Sequence, residues 1–275
     1  MTPEIERRLR DAFPGYRVIE FDPRRDFRKQ LTPHARVVVA GGDGTIGFVA
    51  RALADSDRTL GILSLGTFNN FARSLGVPED VDAAIEAVKN GRPRPITIGR
   101  VNGRAFLEAA AVGMFGAAIE LGEAAKDLAF GQLGKKLSAV TGARPFQYVL
   151  SGDIRGHGRA LSLVFVNTPS IGAAIAVGDA TPIDPYLELS VHAGESRTDI
   201  LTRLVTGRLR ERDLGLDMGL RFTSLRVETR PRVPVYADNL RAGLTPAEIK
   251  AEVGALKVLL PPRSAKAKAA QPRAR

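Results

Sequence analysis

An apolar run, Val37-Val38-Val39-Ala40, ends directly on Gly41-Gly42-Asp43-Gly44-Thr45. Glycines between a buried strand and a helix let an anion approach backbone N–H groups at the positive end of the helix dipole. Phosphate is the natural ligand of such a loop, and the Thr45 hydroxyl can donate a further hydrogen bond. Asp43 is the unusual member. A carboxylate inside a phosphate cradle repels its ligand unless it binds a metal, accepts a proton from a hydroxyl or is engaged by local hydrogen bonds. The plain alternative is a tight strand-to-helix turn capped by Asp43.

Gly66-Thr67-Phe68-Asn69-Asn70-Phe71-Ala72-Arg73 is the second chemical patch, and it too follows an apolar run, Leu60 to Leu65. In a parallel sheet both patches emerge at the same carboxyl edge. Thr67, Asn69 and Asn70 offer hydroxyl and amide partners for ribose or phosphate, and Arg73 offers positive charge. The competing reading is a Ser/Thr-type turn and Asn cap opening a helix whose Phe71 packs inward. Gly42 to Gly47 also fits the G-x-G-x-x-G pattern of dinucleotide-binding folds. That reading requires an acid at the end of the next strand, where this chain has Gly66-Thr67.

The elements that must carry these patches alternate. Ile5, Leu9 and Phe13 fall at helical spacing, and Tyr16 to Phe21 alternates as a short strand. Val37–Ala40 reads as a buried parallel strand and is followed by a helix from Ile46 to about Ala54. Val81, Ala84, Ile85 and Val88 form one helical face, closed by Gly91. Beyond about Ile96 the pattern changes to helical patches around Ala117 to Ala139 among alternating segments. These segments are Leu161–Val166, Leu187–His192, Leu225–Thr229, Val233–Tyr236 and Leu256–Leu260. The expected division is an α/β nucleotide-binding domain over 1–96, a β-rich substrate domain over 97–262 whose last strands return to the first, and a basic disordered tail over 263–275.

The composition sets outer limits. Of 275 residues 44% are hydrophobic and 25% charged, which is ordinary for a globular chain. Cysteine is absent, which removes disulfides and thiolate zinc sites and is compatible with a reducing compartment. The first eight residues mix acids and bases without an apolar segment, which argues against a secretory signal. Phe106 to Gly122 is apolar but carries Glu108 and Glu120, so it reads as core and not as a membrane span. Five of the ten net positive charges come from Arg263, Lys266, Lys268, Arg273 and Arg275. That tail suits a solvated run or an anionic membrane surface, where each basic residue contributes about 1 kcal/mol. No aromatic-rich basic stripe accompanies the charge, and a nucleic-acid partner is not expected. His34, His157 and His192 lack ligand spacing and read as structural or surface residues. The expected location is the cytoplasm, with peripheral attachment at the inner membrane surface as the reading that the tail adds.

GGDGT followed by GTFNNFAR resembles the catalytic domain of the diacylglycerol and sphingoid lipid kinases, in the bacterial branch that carries GTFN. The similarity extends through Phe106 to Gly116 and Ala176 to Leu189, and faintly to Asp238. It implies an α/β domain with a parallel sheet, like that of the NAD kinases, packed on a β-sandwich. It also implies ATP phosphates on Gly41, Gly42, Asp43, Gly44 and Thr45 and on Gly66, Thr67, Asn69 and Asn70. Mg²⁺ and a lipid alcohol acceptor such as diacylglycerol complete the expectation; a homodimer is left open.

Against the family pattern, the initial strand with its N-P-x-x-G turn is missing from the first domain. Asn70 replaces an Asp, and Asp238-Asn239-Leu240 replaces D-G-E. Asp184-Pro185 replaces part of a D-x-G element that holds a structural magnesium in some relatives. By resemblance Asp43 and Asp238 are the catalytic candidates and Asp184 the metal candidate, with turn roles as the alternative for the last two. Two rival functions stand beside the ATP-dependent lipid kinase: a nucleotide- or lipid-binding module without turnover, and a soluble phosphotransferase resembling the NAD kinases.

Overall fold

Val37–Ala40 forms a strand at the edge of the first unit's sheet, with Val39 buried and Val38 and Ala40 packed on the cluster that contains Leu63 and Val88. The computed structural model describes residues 2–32, 35–116, 144–171, 175–176, 178–192 and 217–261. The readings placed on His34, on the helical patches around Ala117 to Ala139, on Gly122 and on the tail fall outside those residues. The chain folds as two compact units. One holds residues up to Arg94 and from Lys257 onward; the other holds Pro95–Leu256.

Helix α1, Pro3–Ala12, opens the first unit. The Thr2 side chain accepts the Ile5 N–H, proline stands in the first turn with Glu4 and Glu6, and Arg10 closes the helix, the arrangement a helix dipole favours. Leu9, Ala12 and Phe13 pack onto the cluster of Leu63, Ala84, Ile85, Val88 and Leu259. The strand expected over Tyr16–Phe21 does not form. Phe21 instead packs its ring edgewise on Phe48 at 5.3 Å, and Tyr16 tilts against Phe13 at 5.2 Å. Alternation marks side chains that have a surface to cover; it does not supply a neighbouring strand to bond with.

Strand β1, Arg36–Gly41, leads into helix α2, Asp43–Leu53, and strand β2, Thr59–Ser64, leads into the short helix α3, Asn70–Ser74. Helix α4, Val81–Asn90, is capped by the Asp80 carboxylate accepting the Ala83 N–H at 2.9 Å. The strands β1 and β2 are parallel, in a register that pairs Val37 with Leu60 and Gly41 with Ser64. Ile46, Val49, Ala50 and Leu53 of α2 are buried, as are Ala84, Ile85 and Val88 of α4, so each helix turns its apolar face inward.

The second unit is a β-sandwich. Its strands begin with β3, Arg92–Val101, of which residues 95–101 belong here, then β4, Arg104–Phe106, β5, Ala109–Gly113, β6, Phe146–Gly152, and β7, Gly156–Ala160. They continue with β8, Ser162–Val166, the small pair β9, Ser170–Ile171, and β10, Ile175–Ala176, and then β11, Leu187–His192, and β12, Asp217–Phe222. The last are β13, Ser224–Arg230, β14, Pro234–Ala237, β15, Leu240–Leu244, and β16, Ala247–Leu260.

One sheet runs β12-β11-β8-β5-β14-β15 and is antiparallel throughout. The other contains β13 between β6 and the first half of β16, with β7 beyond β6. Between the sheets Phe146, Leu150, Leu225, Val227 and Ile249 meet Phe165, Leu187, Leu189, Phe222 and Val235 in one core. Each such side chain contributes about 1.5–3 kcal/mol on full burial. The apolar run that begins at Phe106 is core through residue 116, as its composition predicts, with Phe106, Leu107 and Ala109–Val112 all buried. The end of β16 leaves this unit. Lys257 and Val258 pair in parallel with Thr59 and Leu60 of β2, so the first unit's sheet takes its third strand from the far end of the chain.

Candidate functional site

Because β1 and β2 are parallel and in register, the chain leaves both at one edge, and the two glycine patches meet there. The Leu65 N–H donates to the Gly41 carbonyl at 2.8 Å. A Cβ on Gly66 would lie 2.7 Å from the Gly42 Cα, so the two backbones touch at a distance only a pair of glycines allows. Gly42 itself is extended, with φ −87° and ψ −178°, which any residue adopts; its requirement is space, not conformation.

Gly42 is also the cap residue of α2, and it has no side chain with which to satisfy the first turn. The helix begins at Asp43, three residues before the Ile46 expected from periodicity, and the first intrahelical bond is Ile46 N–H to the Gly42 carbonyl. The backbone N–H groups of Asp43, Gly44 and Thr45 are therefore left over at the positive end of an eleven-residue helix. Gly44 is exposed and has open space where a Cβ would stand. That is the geometry a phosphate needs.

The Asp43 carboxylate resolves its own conflict with this cradle in part. Its Oδ2 accepts the backbone N–H of Asn69 at 2.9 Å and so ties the second loop to the first. Its Oδ1 is buried with no hydrogen-bond partner. An ionised oxygen in that position is costly unless a cation or a hydroxyl completes it.

The second loop is held by Asn69, which sits in the left-handed region at φ +51°. Its side-chain amide donates to the Gly66 carbonyl at 2.8 Å and its oxygen accepts the Gly66 N–H at 3.1 Å. The Asn69 side chain thus closes its own turn through its oxygen and one amide hydrogen. Thr67 is exposed at the tip of that turn, while Asn70 and Phe71 are buried in the first turn of α3. Arg73 pairs with Glu79 at 3.3 Å, an exposed ion pair of small energetic weight.

Ser64 escaped the sequence reading. It ends β2 opposite Gly41, is buried, and its Oγ has no partner. Its only signal was a lone hydroxyl inside the run Leu60–Leu65. The first unit therefore gathers two glycine loops, an open helix start and two unsatisfied buried oxygens, on Asp43 and Ser64, at one sheet edge.

Asp238 and Asp184 belong to the second unit, and the structure gives both carboxylates work in turns. Asp238 has φ +49° between β14 and β15. Its Oδ1 accepts the N–H groups of Leu107, Glu108 and Ala109 at 3.2, 2.9 and 3.3 Å, and its Oδ2 shares that of Leu107 at 3.1 Å. The Asp184 Oδ2 accepts both the N–H and the hydroxyl of Thr181, at 2.8 and 2.7 Å. Nearby, burial first and the Asp184 charge second push the Tyr186 hydroxyl above its ordinary pKa, and the Arg221 guanidinium lies over the Tyr186 ring at 4.5 Å. Among the described residues no group of three His, Cys, Asp or Glu stands together to hold a metal.

An α/β unit with a glycine-lined helix start is joined in one chain to an antiparallel sandwich, a two-domain class of fold. Comparison with known proteins makes this specific: residues 2–101 match the diacylglycerol kinase catalytic domain. Over 80 residues the chain is 50% identical to the diacylglycerol kinase of Bacillus subtilis strain 168, a match covering 28% of this chain and 26% of that protein. Over 85 residues it is 47% identical to a Klebsiella pneumoniae strain 342 protein named "Probable lipid kinase YegS-like", covering 30% and 29%. The alignment thus spans under a third of the length of these curated relatives. A solved structure of a diacylglycerol kinase from Bacillus anthracis strain Sterne superposes with a TM-score of 0.68 at 19% identity, covering 95% of this chain and 89% of that one. That likeness extends the fold, α/β domain and β-rich domain together, over nearly the whole chain.

Proposed function

We propose that the chain is an ATP- and Mg²⁺-dependent lipid kinase that transfers the γ-phosphoryl group of ATP to a lipid hydroxyl, such as that of diacylglycerol. The observation that carries this reading is the start of α2, where unsatisfied N–H groups, open space at Gly44 and the unpartnered Asp43 Oδ1 stand together. The N–H groups suit phosphate oxygens. A carboxylate beside them suits a hard cation held jointly with those oxygens, since Mg²⁺ is bound through one or two carboxylates plus substrate phosphates. Mg²⁺, when bound with the nucleotide, neutralises charge on the phosphates, and Asp43 Oδ1 is the atom that would hold it.

The protein's own work is positioning. The Gly41–Thr45 backbone fixes the phosphates, and the Thr45 and Ser64 hydroxyls stand at the same edge. Asp43 Oδ2 keeps the second loop registered through Asn69. Phosphoryl transfer depends mainly on such placement and on charge neutralisation. We assign Asp238 and Asp184 to the turns they hold and not to proton or metal chemistry. No helix among the described residues is long and apolar enough to cross a membrane. Access to a lipid therefore falls to surface contact in this proposal, with the basic residues 263–275 as the attracting segment.

The test is transfer of radiolabelled phosphate from ATP to vesicles containing diacylglycerol, to NAD, or to neither. Label on the lipid that vanishes with chelator supports the proposal. Nucleotide binding without transfer to any acceptor defines a binding module, and label on NAD defines a soluble kinase.

A further inference from the structure

Phe48 stands one turn beyond Gly44 on α2, about 6 Å along the helix axis. Side chains on a helix lean back toward its N-terminus, so the Phe48 ring leans toward Gly44 and the open helix start. Gly44 offers no side chain, and a Cβ there would meet nothing within 4 Å. The Phe21 ring meets Phe48 edgewise at 5.3 Å with an interplanar angle of 73°, and the Phe27 ring tilts against Phe48 at 6.3 Å. An aromatic cluster thus stands one helical turn from the phosphate cradle, with a bare glycine between.

The cluster is not sealed. Phe21 is 39% exposed, and Phe27 and Phe48 are half-buried. An edge-to-face pair sets the rim of one ring on a face of the other and leaves the remaining faces to other neighbours. Phe165 and Phe222 make the same kind of pair at 5.9 Å inside the sandwich, and there both rings are buried. Around Phe21 that covering is missing among the described residues. The carboxylates between Phe21 and Phe27 in the chain are taken, since Asp22 accepts the Arg24 N–H and pairs with Arg25, and Asp26 pairs with Arg28. The loop therefore brings ring surface to the helix start and no spare carboxylate.

We infer that Phe21, backed by Phe48 and Phe27, is the subsite for the base of a purine nucleotide whose phosphates lie on the start of α2. This deepens the kinase reading of that helix start and rests on it. The phosphates take the backbone N–H groups, the base takes the flat apolar surface, and the ribose spans the turn between them. Stacking rewards ring area, so the larger purine gains more than a pyrimidine. With Asp22 and Asp26 engaged, the loop has no fixed carboxylate to read the amino and keto groups that separate adenine from guanine. The subsite therefore selects purine over pyrimidine triphosphates and separates ATP from GTP weakly.

Calorimetric titration of the full chain with Mg²⁺ and ATP, GTP, CTP or tripolyphosphate separates the base from the phosphates. ATP and GTP should bind within about 3-fold of each other and more tightly than CTP. Phe21→Ser should weaken ATP and GTP by about 5-fold or more and leave tripolyphosphate unchanged, and Phe21→Tyr should restore both purines. Phe21→Leu, which keeps an apolar contact for Phe48 without a flat ring, should behave like the Ser variant. Nuclear Overhauser contacts from phenylalanine rings to H8 of bound ATP should vanish in Phe21→Ser. Wild-type ATP affinity in the Ser and Leu variants would overturn the subsite, as would an equal loss for tripolyphosphate, the result expected of a merely structural ring. GTP bound more than about 10-fold more weakly than ATP would overturn its selection by ring area. Ring contacts to ATP without phosphoryl transfer to any acceptor keep the subsite and sink the kinase reading. Transfer with an unchanged KM for ATP in Phe21→Ser does the reverse.

Discussion

Asp43 and Asn69, twenty-six residues apart, are joined by one hydrogen bond from the Asn69 backbone N–H to Asp43 Oδ2 at 2.9 Å, while Asp43 Oδ1 stands beside it without a partner. One carboxylate thus has one oxygen engaged in holding the second loop and one left over for the chemistry proposed above. The amide in Asp43→Asn keeps a single acceptor oxygen and loses the charge. It should melt close to wild type and retain nucleotide, while transfer falls about 10²–10³-fold, the scale of removing one preorganised electrostatic group. Asp43→Ala also strands the Asn69 N–H and should lose a further ~1–3 kcal/mol of stability in urea unfolding. An Asn variant with wild-type turnover would remove Asp43 from the chemistry.

Gly66 and Gly44 make a matched pair of tests. Ala at 66 drives a methyl to 2.7 Å from the Gly42 Cα and 2.8 Å from Asn69 Oδ1. The overpacking should cost about 1–3 kcal/mol and weaken nucleotide binding together with stability. Ala at 44 meets nothing within 4 Å, so melting should hold while the methyl obstructs an approaching phosphate. Calorimetric titration should show at least a ~10-fold loss of ATP affinity for Gly44→Ala, on the scale of ~1.4 kcal/mol. Unchanged affinity would place the phosphates elsewhere.

Asp238→Ala distinguishes a turn anchor from a base. Its carboxylate collects the N–H groups of residues 107–109, and removing it should destabilise the protein by at least about 2 kcal/mol. Turnover per folded molecule and the KM for ATP should stay near wild type. A variant that melts normally but has lost turnover would return Asp238 to proton transfer.

His192 gives the fold a pH dependence. Burial lowers its folded pKa from 6.5 to about 4, so between those values the unfolded chain holds a proton that the folded chain does not. Stability from this group is complete above pH 6.5 and is lost progressively as pH falls toward 4, by about 3 kcal/mol in all. Urea midpoints at pH 7.5, 6 and 5 should fall more steeply for the wild type than for His192→Gln. Parallel slopes would show that another group governs the acid limb.

The class of fold was legible because the signals were local. Val37–Ala40 and Leu60–Leu65 read as buried parallel strands, Val81–Val88 as one helix face, and Leu187–His192 and Leu225–Thr229 as alternating strands, and each formed. The glycine loops were legible for the same reason, since each lies within one strand-to-helix connection. What sequence could not show depends on partners distant along the chain. Nothing near Asp43 announces that Asn69 will take one of its oxygens, and nothing near Asp238 announces residues 107–109. The Asn69 side chain looked available to a ligand because its bonds to Gly66 exist only once that turn closes. Tyr16–Phe21 alternates because Phe21 finds Phe48, not because a strand lies beside it.

The path of β16 has a consequence for how the protein is made. Residues up to 94 are synthesised with the edge of β2 away from β1 unpaired, and its partner, Lys257 and Val258, follows only after residues 95–256 have been translated. Until then the nascent chain carries an open strand edge of the kind that recruits chaperones or other chains. A chain that stops before residue 257 carries both glycine loops but leaves that edge of β2 without its strand partner.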